Sequence, residues 1–201
     1  DQAALLLGRW LMNGSGPGGG SLFSSMLFHS FDDPNYPELQ IFMTPMNIDE
    51  NLSDGKNETT SILQSLGRKL LVRGKKVAKP GVQIDINLER PKSLGTIRLN
   101  SSNPLDYPII DPNYLNNKKD LDDLVKGVKV VKKIMENVNI RKYLTEERGD
   151  WKNVSTDEEI ISAIRKTAYT GHHPCSTAKM GMSNDIHSVV DKELKVFGVE
   201  G

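Results

Sequence analysis

The chain has almost no cysteine. Cys175 is the only one in 201 residues, so no disulfide can form within the chain, and cysteine count does not set its redox compartment. It also lacks an excess of either charge: 26 Lys and Arg stand against 26 Asp and Glu. A protein that tracks nucleic-acid phosphates needs a clustered basic face, and the longest basic cluster, RGKK at 73–76, reads as a solvated loop. A nucleic-acid partner is therefore not expected. No apolar run reaches the roughly 20 residues needed to cross a bilayer, so no membrane span is expected either. The opening from Asp1 has no initiator Met, no basic n-region and no apolar h-region, so no signal peptide is read there. The closing KVFGVEG reads as a strand and turn cut off in mid-course. Both ends are expected to be those of a fragment. Internal repeats are missing as well.

What remains is ordinary globular composition, 37% hydrophobic and 26% charged, of a length that suits one large domain or two small ones. Asn-x-Ser/Thr sequons occur at Asn13, Asn51, Asn57, Asn100 and Asn153. They exceed chance and lean towards an extracellular, secreted glycoprotein, since they act as acceptors only on a secretory route.

Residues 2–12 read as a helix with Asp1 as a candidate N-cap. The glycine-rich NGSGPGGGS at 13–21 follows, and Gly14, Gly16 and Gly19 match G-x-G-x-x-G. A dinucleotide fingerprint must follow a strand and open a helix. This one follows a helical segment and precedes a strand-like run, SLFSSMLFHSF, so it reads as a mobile connection. ELQIFMT at 38–44 alternates with Leu39, Ile41 and Met43 on one face. Residues 50–78 are polar, with a short helix near ILQSLGRKLL.

In GVQIDINLER, Val82, Ile84, Ile86 and Leu88 point one way and Gln83, Asp85, Asn87 and Glu89 the other. One face buried and one wetted is the pattern of an antiparallel sheet. PKSLG then turns into TIRLN, so 82–100 is expected to be a hairpin. Residues 103–115, with three prolines, read as an extended loop.

From 117 the period becomes helical. Leu121, Leu124, Val125, Val128, Val131 and Met135 form one stripe of about five turns. A second helix, 156–166, opens on a capping box of Thr156 and Glu159 and carries Arg165 and Lys166 in its last turn, where the helix dipole favours cations. The expected fold is α+β: an antiparallel-leaning mixed sheet with helices packed on one side.

The chemistry concentrates in TGHHPCSTAKMG, residues 170–181. Zinc needs ligands on one face, whereas adjacent His172 and His173 diverge and His29 and His187 are distant in sequence. Cys175 as a nucleophile would need an activating base or a helix N-terminus, set against a small buried apolar residue. His173 as a general base is a third reading, since Pro174 restricts it to extended geometry and sets its direction. A packed or solvent-facing histidine is the fourth, and the local argument alone favours it.

Three longer motifs bear on that choice. RPKSLGTIRLNSSNPLDYPIIDPNYL (90–115) resembles R-P-x-S-x-G-x-I/V-x-L followed by D-x-P-x-I-D-P-x-Y-L, a signature of the glucose–methanol–choline (GMC) oxidoreductases. HPCSTAKMG (173–181) resembles their H-P-x-G-T-x-K/R-M-G, and VVDKELKVFGVEG (189–201) their V-V-D-x-x-L-x-V-x-G-V/I-x-G. The three occur in the family's order. They cover 90–201 closely and 1–89 loosely, and the length and sequons resemble the secreted insect members.

The resemblance implies a fragment of a two-domain flavoprotein. Residues 1–165 would be the incomplete substrate-binding domain. Residues 166–201 would be the active-site histidine loop and the start of a return strand to an FAD domain outside this chain. The implied cofactor is FAD in the full-length parent, and the implied substrate a small-molecule alcohol, oxidised to a carbonyl. His173 aligns with the family's catalytic histidine and would take the hydroxyl proton while hydride leaves for the flavin. An alcohol pKa near ~15.7 against ~6.5 for imidazole would make a free alkoxide cost roughly 12 kcal/mol. The proton must therefore leave together with the hydride, or a second donor must hold the alkoxide. The family places that donor, a His or Asn, beyond residue 201. Ser176 stands where the family has Gly. If that position has positive φ, serine costs about 1 kcal/mol or more. The alternative is then a catalytically inactive derivative kept as a binding or structural protein.

Overall fold

A computed structural model describes residues 11–14, 25–44 and 81–199. Three strands, β1 (Ser25–His29), β2 (Leu39–Thr44) and β3 (Gln83–Leu88), form an antiparallel sheet in the order β1-β2-β3. Ile41 lies opposite Leu27 on one side and Ile86 on the other. The alternation in β2 buries Leu39 and Ile41, because their face meets a helix.

That helix is α1 (Lys118–Met135), capped by Asn117, whose side chain accepts from the Lys119 backbone N–H. Its stripe places Leu121, Val125 and Val128 inside. Gly127 lets the helix close on the sheet: a Cβ there would stand 2.7 Å from a Leu39 methyl and 3.0 Å from one on Ile86. A short helix α2 (Val138–Arg141) and a 3-10 turn at Gly149–Trp151 lead to α3 (Asp157–Thr167). The Thr156 and Glu159 capping box is present in both directions, so two of the orphan N–H groups at this helix start are satisfied. Leu121, Val125 and Val128 of α1 pack with Ile160 and Ile164 of α3, and Ile86 brings β3 into the same cluster. Fully burying one such side chain contributes about 1.5–3 kcal/mol. The result is α+β, an antiparallel sheet with helices on one side, as the sequence implied.

Three expectations are corrected. First, 82–100 is not a hairpin. β4 (Thr96–Arg98) pairs with β5 (Ile109–Asp111) in a separate two-stranded sheet, so the 103–115 stretch also contains a strand. The PKSLG turn is drawn to the start of α1 instead. The buried Asp120 carboxylate accepts the Lys92 and Ser93 backbone N–H groups at 2.7 and 2.8 Å, and Ser93 Oγ accepts the Asn117 N–H at 3.0 Å. Gly95 then passes so close to the Asp111 carbonyl that a Cβ would overlap it. Second, KVFGVEG forms no strand within the described residues. Val190 bridges singly to Met180 and Val196, and the Asp191 carboxylate curls the chain by accepting the Glu193 and Lys195 N–H groups. Third, β3 is half-buried on both faces, and Val82 just before it is exposed, so the alternation does not separate a buried from a wetted side; the cover on its polar face is described below. Of the 2–12 helix, residues 11 and 12 are described and helical, and the helix runs on to Asn13. The rest of that helix, Gly16, Gly19, RGKK and the 62–71 helix lie outside the described residues.

Candidate active site

The histidine loop starts where α3 stops. The Ala168 N–H still bonds the Ile164 carbonyl at 2.8 Å, but Ala168 itself is extended (φ −63, ψ 136), which turns the chain back over the sheet. Tyr169 Oη donates to Asp85 Oδ1 at 2.7 Å, and Gln83 Nε2 donates to the same carboxylate at 2.8 and 3.1 Å. Burial of the phenol's hydroxyl end, reinforced by the carboxylate beside it, pushes the Tyr169 pKa well above its ordinary value, so it stays a donor. Gly171 follows, its Cβ position 3.3 Å from the Asn87 amide oxygen. Tyr169 and Gly171 are the cover on the polar face of β3.

Two left-handed kinks bracket the next residues: His172 at φ 59 and Ser176 at φ 61. The His172 N–H donates to Thr170 Oγ1 at 3.1 Å, which holds the first kink. Ser176 keeps the backbone shape that a glycine adopts without strain, at a cost of about 1–2 kcal/mol. His172, His173, Pro174 and Cys175 are all exposed. Cys175 is therefore not the small buried residue that one reading allowed. His29 stands edge-on to Phe31 at 4.9 Å, on β1. Among the described residues, no group of three or more His, Cys, Asp or Glu is gathered to hold a metal ion.

The loop is fastened again at its far end. The Lys179 carbonyl accepts the Val189 N–H at 2.8 Å and the Gly181 N–H reaches the Val190 carbonyl at 3.0 Å. Gly181 has no room for a Cβ beside Ser188. Lys179 Nζ meets Asp185 Oδ2 at 2.6 Å, and the His187 N–H donates to Asp185 Oδ1 at 2.9 Å. Lys179 first, then the His187 amide, pull the Asp185 pKa down to about 2. A depressed carboxylate pKa stabilises the fold above the ordinary carboxylate range, and that contribution fades as pH falls through the folded value. The His187 amide shift, followed by NMR, should therefore titrate with a midpoint near pH 2. A midpoint near 4, the ordinary carboxylate value, would show that the tie is not formed.

Tyr169 and Asp85 escaped the sequence reading. They are 84 residues apart, and no local pattern links a tyrosine after a helix to the polar face of a strand. The kink at Ser176 was legible as one of two meanings, because a motif position that wants glycine is either a place of close approach or one of positive φ, and here it is the second.

The GMC oxidoreductase family model matches residues 91–201. The span takes in the PKSLG turn, β4, β5, both long helices and the whole histidine loop. The chain belongs to the GMC oxidoreductase family.

Among its GMC-like relatives, oxygen-dependent choline dehydrogenase of Brucella ovis is 32% identical over 193 residues, 96% of this chain and 31% of that one. The mitochondrial choline dehydrogenase of Mus musculus is 36% identical over 118 residues, 59% of this chain and 20% of the relative. Alcohol dehydrogenase [acceptor] of Pseudomonas putida is 40% identical over 109 residues, 54% of this chain and 19% of that one. The chain thus spans at most about a third of the curated relatives it matches here. The crystal structure of pyridoxine 4-oxidase from Mesorbium loti superposes with a TM-score of 0.60 at 20% identity, over 87% of this chain and 30% of that one. It shows the shared fold.

Proposed function

We propose that this GMC chain is the substrate-domain portion of a longer FAD-dependent oxidoreductase acting on CH–OH groups of small alcohols, with His173 as the base. Residues 1–165 would shape the substrate side and 166–201 would carry the histidine loop. The observation that carries the reading is the setting of His173. It is an exposed imidazole between two backbone kinks, on a loop fastened to β3 at one end and to Val189 and Val190 at the other.

The residues of this chain have the proton to handle. Pro174 keeps His173 extended, and the kinks fix the direction of approach. His173 would accept the hydroxyl proton as the C–H bond breaks, which avoids a free alkoxide. A flavin dinucleotide does not fit the open hollow lined by Phe28, Phe31, Asp32 and Pro34, whose volume of about 260 Å³ lies below the roughly 300–1,000 Å³ of small-molecule sites. FAD, the proposed hydride acceptor, would be held mainly by parts of the longer protein outside the described residues. The bare apolar side chains Ile97, Ile110, Leu105 and Tyr107 on and beside the β4–β5 sheet are consistent with cover by such a part. Exposed sequon residues Asn13, Asn100 and Asn153 support a secretory route. No helix among the described residues is long and apolar enough to cross a membrane.

Ser176 favours a second reading, an inactive derivative retained for binding or structure. Its strain of about 1–2 kcal/mol is small beside the several hydrogen bonds that fasten the loop, so the active reading is preferred. The deciding experiment adds choline, benzyl alcohol and short primary alcohols, one at a time and without oxygen, to the full-length flavoprotein. Bleaching of the oxidised flavin band with formation of the carbonyl product is expected for at least one. A flavin that stays oxidised with all of them would sink the proposal and leave the second reading.

A further inference from the structure

We propose that Tyr169 and Asp85 are a positioning pair that sets where His173 stands. The inference rests on the reading of His173 as the base, and it adds residues that no motif of the family match names.

Tyr169 is 64% exposed, so it is not there to fill the core. Its anchored end is the hydroxyl, 2.7 Å from Asp85. Asp85 is a firm post. It sits in the middle of β3, paired with Phe42 of β2, and Gln83 holds its carboxylate from the side. Only Thr170, Gly171 and His172 separate Tyr169 from His173, and each of the three is restricted. Thr170 Oγ1 holds the His172 N–H, Gly171 lies against Asn87, and His172 is locked in the left-handed region. His173 is itself limited by Pro174. A chain segment with so little play hands a shift at Tyr169 on to the imidazole instead of absorbing it. Beyond His173 the next fastening is at Lys179, too far along an exposed stretch to fix the ring alone.

The test uses the full-length flavoprotein and the alcohol that bleaches it. Tyr169→Phe removes the hydroxyl without leaving a hole. Tyr169→Phe and Asp85→Ala should each lower kcat by about 10-fold or more, the scale of a small misplacement of a reacting group. KM should stay within about threefold, because the lost interaction is felt in the transition state. The double variant should be no slower than either single one, since both remove the same bond. Asp85→Asn keeps an acceptor oxygen and should recover most of the rate. Hydrogen exchange supplies a readout without turnover: the His172 amide, which Thr170 Oγ1 holds, should exchange faster in Tyr169→Phe, while those of α1 stay unchanged. Unchanged exchange at His172, or faster exchange with wild-type kcat, overturns the positioning role. His173→Ala run alongside separates the two claims. If it keeps wild-type turnover the base assignment fails, and the exchange result alone then decides whether the pair holds the loop.

Discussion

Replacing His173 with alanine in the full-length protein should lower kcat by at least about 10²-fold, the low end for a lost general base. KM should change little, because on the proposed reading the imidazole acts on a proton in flight more than it binds the ground state. His172 provides the control. It stands next door and is also exposed, but its backbone lies in the left-handed region, whereas Pro174 restricts His173 to extended geometry. His172→Asn removes the imidazole but keeps a residue type that tolerates the left-handed backbone, and should keep turnover within about threefold of wild type. Steady-state kinetics on both variants, with added imidazole to restore part of the His173→Ala rate, reads the assignment directly. Full turnover in His173→Ala, or the larger loss in His172→Asn, would show that the base lies elsewhere.

The second large effect concerns stability. Asp120→Ala should destabilise the fold by about 3 kcal/mol. Asp120 is 2% exposed and its two oxygens accept the Lys92 and Ser93 N–H groups. A hydrogen bond to a charged partner contributes about 1.5–3 kcal/mol, so two would approach twice that. The PKSLG turn is partly open to water, which offsets some of the loss. Truncation also removes an anionic group from the first turn of α1, a favourable dipole contact of about 0.3–1 kcal/mol. Urea unfolding should show the lower midpoint, and the Lys92 and Ser93 amides should lose their exchange protection. A shift in stability under about 1 kcal/mol would mean that the turn is held by other contacts.

This clamp also gives the RPKSLG signature a physical content. Ser93 takes part in both directions, donating its N–H to Asp120 and accepting from Asn117. Gly95 is glycine because the Asp111 carbonyl leaves no space for a Cβ. Asn113, whose φ is 51, donates from its side-chain amide to the Leu94 carbonyl at 2.9 Å. The motif is a knot of backbone–side-chain hydrogen bonds and one close backbone approach between residues 92–95, 111–113 and 117–120, which explains why its residue types are specific although most of it is exposed.

Several features were legible before any coordinates because their causes lie within a few residues. The α1 stripe needs only the helical period, and the α3 start needs only Thr156 and Glu159 three positions apart. The strand character of 83–88 follows from its alternation. The positive φ at Ser176 is one of the two conformations or contacts that the glycine expected there allowed for. His173 stood out through the motif and its proline. Tertiary structure alone decided the rest: that β4 pairs with β5 and not with β3, that Tyr169 crosses 84 residues to reach Asp85, and that the polar face of β3 carries the root of the histidine loop. Local rules fail there for one reason. Alternation says that a strand wants partners and a cover, but which partner wins is settled by loop closure and by competing bonds such as those of Asp120, contributed by residues far along the chain.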